Sequence, residues 1–132
     1  ATPQDAVDGF YQGELAGNWP AACSYVTPSA QSLCLAGTSG QGAETGSFRV
    51  WNAVISGSEA LVAVTGSLCG PGNAGGPCVS NASPGTGMPS SPAGFTAAYA
   101  TAVAASTSSS SSSSMSPLPC SDIGGKWYVT FG

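Results

Sequence analysis

The sequence predicts an α+β domain in which N-terminal helices pack across a curved antiparallel sheet stapled by disulfides. Three observations predict it. The chain opens with an amphipathic helix that has its own start and stop signals, residues 47–68 hold two adjoining β-rich runs, and five cysteines stand in a chain with almost no charge.

Thr2-Pro3-Gln4-Asp5 is a helix start: Thr2 caps, Pro3 suits the first helical position, and Asp5 favours the positive end of the helix dipole. Val7, Phe10, Tyr11 and Leu15 then form an apolar stripe facing the sheet. Gly17-Asn18 ends this helix, and Pro20 starts a second one over Trp19 to Val26. Thr27-Pro28 starts a third short helix running through Leu33. Cys23 and Cys34 therefore fall on consecutive helices and are expected to bridge, closing a loop worth on the order of 3 kcal/mol in the chain-entropy picture.

A polar, Gly-rich connection over 35–46 leads into the central hairpin. In its first run Phe48, Val50, Asn52 and Val54 share one side of an extended chain, and Arg49, Trp51, Ala53 and Ile55 share the other. Ser56-Gly57-Ser58-Glu59 breaks the run. The second run, Ala60 to Leu68, places Val62, Val64 and Leu68 on one face and Leu61, Ala63 and Thr65 on the other. A lone hairpin is marginal in water, so helices or further strands must cover it.

Residues 69–119 read as a Gly/Pro/Ser-rich excursion. Cys69 and Cys78 bracket a Gly/Pro loop, and joining them is the simplest pairing; joining either to Cys120 is the alternative. Because five is odd, one thiol is left over, and Cys120 is the candidate. A helix near 92–105 carries Phe95, Tyr99 and Val103 at four-residue spacing, and a low-complexity tract follows at 106–116. Lys126 to Phe131 closes the chain as a strand, with Trp127, Val129 and Phe131 on one side and Tyr128 and Thr130 on the other, and is expected to pair with the hairpin.

Only 6% of the 132 residues are charged and the net charge is −4, so the basic patch that nucleic-acid binding requires is missing. There is no histidine, which excludes Ser-His-Asp and Cys-His nucleophilic sites and His-based zinc sites. The cysteine spacing is not that of zinc-ribbon pairs, and neither a metal nor a cofactor is implied. No apolar run is long enough to span a membrane. Five cysteines in a small neutral chain point to an extracytoplasmic, oxidising location.

The opening AVDGFYQGELAGNWPAACSYVTPSAQSLC, with its helix, Gly-Asn stop, Trp, Cys-bearing second helix and Thr-Pro start, resembles NTF2-like (cystatin-like) domains. The ending GGKWYVTFG is similar to the strand that closes the sheet in that superfamily. The Gly/Ser/Ala-rich body with helix cysteines resembles extracytoplasmic members from actinobacterial lipoproteins of unknown function. The resemblance implies one domain over 1–132 forming a cone of helices on a curved sheet, and it implies little about activity.

In such a cone Tyr11, Trp19, Tyr25, Trp51, Tyr99 and Trp127 are the candidates for lining a pocket for a small apolar ligand; as aromatics they serve equally as core. Asp8 and Glu14 are the helix carboxylates available as a base, and solvation on different helix faces is the simpler reading. The only cations, Arg49 and Lys126, are expected to pair with Glu59 or Asp122. Asn81-Ala82-Ser83 matches a glycosylation sequon. The functional expectation is a non-enzymatic module that binds a small apolar ligand or an envelope protein in a secreted or surface-anchored protein. The alternative is a ketosteroid-isomerase-like enzyme. A buried carboxylate at the base of an apolar cavity favours the enzyme, and a filled cone beside an exposed apolar patch favours binding.

Overall fold

A computed structural model of the chain describes residues 2–38, 42–69, 78–107 and 116–130. The Gly/Pro loop between Cys69 and Cys78, the body of the serine tract and Phe131 lie outside these residues.

The chain is α+β, with helices on a curled antiparallel sheet and two disulfides. Helix α1, Pro3–Ala16, is closed at its start by a reciprocal cap: the Asp5 amide donates to Thr2 Oγ1 at 3.2 Å and the Thr2 amide to Asp5 Oδ2 at 3.3 Å. Gly17 ends it in the left-handed conformation (φ 71°) that a side chain would strain. Helix α2, Trp19–Cys23, is capped by Asn18, whose Oδ1 accepts from the Ala21 amide, and it ends short of the expected Val26, which bridges to Val129 instead. A 3₁₀ turn at Pro28–Ala30 leads into α3, Gln31–Thr38, which carries helix beyond Leu33 into the stretch expected to be loop. The Cys23–Cys34 bridge ties α2 to α3 with 5.7 Å between Cα atoms.

Strands β1, Thr45–Ser56, and β2, Glu59–Cys69, form the hairpin. Between Val50 and Ala53 the register slips by one residue, a bulge formed by Trp51 and Asn52. The slip corrects the simple alternation expected for β1. Ala53 joins Phe48 and Val50 on the α1 side, and Val54 moves to the other face.

The outer edge of β2 is shared by two strands that the sequence pattern does not announce. β3, Cys78–Asn81, pairs with Gly66–Cys69, and β4, Leu118–Ile123, pairs with Glu59–Val62. Between them, side chains stand in for a strand partner: the Val64 amide donates to Ser116 Oγ at 3.0 Å, and Asn81 Nδ2 donates to the Val64 carbonyl at 2.8 Å. Strand β5, Lys126–Val129, pairs with β4 and so reaches the hairpin through β4, where direct pairing was expected. Pro119 disguised β4 because a proline ordinarily argues against an inner strand. Its carbonyl accepts from the Thr130 amide, placing the missing proline donor where β5 has already ended.

The main core lies between α1 and the sheet, with Val7, Phe10 and Tyr11 packed on Val62, Val64 and Val129. Helix α4, Pro92–Thr107, covers the opposite face, where Phe95 and Ala102 pack on Leu61. With both faces covered, Ala60 to Val64 are fully buried.

Candidate functional site

The six aromatic candidates do not converge. Tyr11 and Trp19 are buried in the main core, with Tyr25 and Trp127 half-buried against it. Tyr99 lies on the opposite face under α4, stacked on Phe95 with centroids 5.6 Å apart. Its hydroxyl meets Ser121 Oγ at 3.1 Å, Thr130 Oγ1 at 3.0 Å and the Cys120 carbonyl at 3.3 Å, clasping α4 to β4 and the end of β5. Trp51, carried by the bulge, is 36% exposed, and its indole N–H donates to Thr65 Oγ1 at 2.7 Å.

The two cations sit over rings, where carboxylate partners were expected. The Arg49 guanidinium lies 4.0 Å from the Trp51 ring centroid and Lys126 Nζ 5.3 Å from that of Tyr128. The sequon amide is engaged in the fold, since Asn81 Nδ2 donates to the carbonyls of both Val64 and Ser83.

One polar cluster forms inside the helix–sheet layer. Glu14, in the last turn of α1, lies three and four residues after Tyr11 and Phe10 and therefore on their buried face; it is only 7% exposed, whereas Asp8 is exposed. Its side chain hydrogen-bonds to that of Glu44, and the Glu44 amide donates to the Glu14 carbonyl at 3.0 Å. The Trp19 indole N–H donates to the Gly42 carbonyl at 3.0 Å, fixing the segment that carries Glu44. Burial pushes the Glu14 carboxyl up to about 10, with the Glu44 hydrogen bond and charge adding to it. Burial thus favours the protonated form of Glu14, in which its carboxyl can donate to Glu44. Desolvation first, and then the neighbouring Glu14 and Glu44 carboxyls, also raise Tyr11 well above its ordinary value. Among the described residues Glu44 Oε1 is buried with no hydrogen-bond partner.

Cys120, on the α1 face of β4, is a buried free thiol with Sγ 3.9 Å from the Pro3 carbonyl, and burial pushes it up to about 12. A thiol held protonated and out of solvent is a poor nucleophile. The other four cysteines form Cys23–Cys34 and Cys69–Cys78, bonds that suit an oxidising compartment.

On the other face an apolar groove of about 340 Å³ runs between Val54–Ser56 of β1 and Pro89–Pro92 with Phe95 at the start of α4. A second, of about 460 Å³, lies between Ala97, Ala98, Thr101 and Ala102 of α4 and Gly87, Ser116 and Pro117. Among the described residues no three His, Cys, Asp or Glu side chains are grouped to hold a metal ion, and no helix is long and apolar enough to cross a membrane. No known protein family, curated protein or solved structure matches the chain.

Proposed function

We propose that the chain is a non-catalytic binding module of a secreted or surface-anchored protein, built as an NTF2-like cone whose interior is plugged. One observation carries the reading. The layer between α1 and the sheet is occupied by Val7, Phe10, Tyr11, Val26 and Val129, while apolar grooves open on the opposite face beside α4. The two disulfides support the extracytoplasmic setting.

A titration of small apolar fragments followed by amide chemical shifts tests this. Shifts grouped at Val54–Ser56 and Ser90–Phe95 are the expected result. Shifts centred on Tyr11, Glu14 and Glu44 would overturn it.

A second reading, a ketosteroid-isomerase-like enzyme, is favoured by the buried protonated Glu14 beside Tyr11. It requires a substrate to displace the core side chains and reach that pair, and the titration above would reveal such an opening.

A further inference from the structure

The two ends of the sheet are finished differently. The outer edge of β5 is met at its last residue by the segment after α2: the Thr27 amide donates to the Val129 carbonyl at 3.0 Å, and the Val129 amide donates to the Tyr25 carbonyl at 2.7 Å. The outer edge of β1 pairs with no strand among the described residues. An open edge presents backbone donors and acceptors at strand spacing, which only another extended backbone matches. Edges of this kind are usually short or carry proline and lysine. β1 runs for 12 residues with neither, and Arg49 is its single charge.

The bulge at Trp51–Asn52 divides this edge, and the apolar groove marks one of the two halves. Val54, Ile55 and Ser56 all line it. Successive side chains point to opposite faces, so a groove touching three consecutive residues follows the edge of the strand and not one face. Ile55, 55% exposed, stands at its rim. The lining contains no ionisable side chain, which selects an uncharged occupant.

We propose that Ala53–Ser56, with the groove against the start of α4, takes an extended, uncharged peptide segment of a partner protein by strand addition. The peptide main chain pairs with the β1 edge, and alternate apolar side chains enter between Val54, Pro92 and Phe95. A second copy of the chain is a poorer occupant, because each copy carries its own Pro89–Pro92 wall beside β1 and the two walls compete for one space. The inference rests on the binding-module reading and specifies its partner.

Panning a random linear-peptide display library on the intact, disulfide-bonded protein supplies the probe, and the enriched peptide is then synthesised. Three results are expected. The largest amide shifts fall at Ala53–Ser56, N-methylation at every second peptide position weakens binding by about tenfold or more while the intervening positions tolerate it, and Ser90→Trp, which fills the groove from an exposed site, weakens binding to the same degree. Ser90→Ala, which leaves the groove open, should bind as the parent does, and all three proteins should share a melting temperature. Peptide affinity that stays within about twofold under both N-methylation and Ser90→Trp would overturn strand addition and leave the binding module standing. No enrichment, together with self-association that Ser90→Trp abolishes, would replace the peptide by a second copy and overturn the proposal. No enrichment from a monomeric protein would overturn both readings.

Discussion

Glu14 shows how much a single side chain can hide in an amphipathic pattern. The expectation of a solvated carboxylate fails for Glu14, which follows Phe10 by four and Tyr11 by three and so is carried onto their buried face; its partner left no local signal, since Glu44 lies thirty residues away in a stretch without periodicity. A carboxyl of ordinary value 4.5 in the unfolded chain that is raised to about 10 in the fold binds its proton more tightly when folded. Its contribution is therefore fully present below the unfolded value and is lost as pH rises toward the folded one. Glu14→Gln keeps an N–H donor for Glu44 and removes the titration. Chemical denaturation from pH 5 to 9 should show the variant gaining steadily on the parent as pH rises, with the difference smallest at the acid end. A constant difference across that range would remove Glu14 as the titrating group.

At the level of elements, helices and hairpin were legible because their periods are strong, and the caps Thr2, Asn18 and Gly17 mark their ends. What escaped was decided by tertiary pairing. β4 begins within Pro117-Leu118-Pro119, β3 is four residues long, and the β1 bulge inserts a residue that no local signal announces. In the gap between β3 and β4 the ladder depends on a side chain, because there a hydroxyl replaces a backbone partner. Ser116→Ala leaves the buried Val64 amide without its acceptor and should cost about 1–3 kcal/mol in urea unfolding, more than a surface Ser→Ala at Ser90. Equal midpoints for the two variants would show that Ser116 does not carry that bond.

Over the whole molecule, a chain so short of charge relies on burial and on covalent ties. One bridge holds α2 to α3, and the other closes the ends of β2 and β3. Helices cover the sheet on both faces, the Tyr99 hydroxyl secures the outer helix, and the polar cluster of Glu14 and Glu44 sits where α1 hands over to β1. The layered α+β arrangement followed from the sequence; the division of roles between the two faces did not, because nothing local told Phe95 and Ala102 which side of Leu61 to occupy.

The burial of Ala60–Val64 on both faces of the sheet fixes the order in which the molecule gives way. Isotope exchange in heavy water should reach the helices and the β1 edge first and Leu61 to Val64 last, at a rate set by global opening. That innermost ribbon then acts as the clock of the fold: while its protons persist, every other part of the molecule has the means to close again.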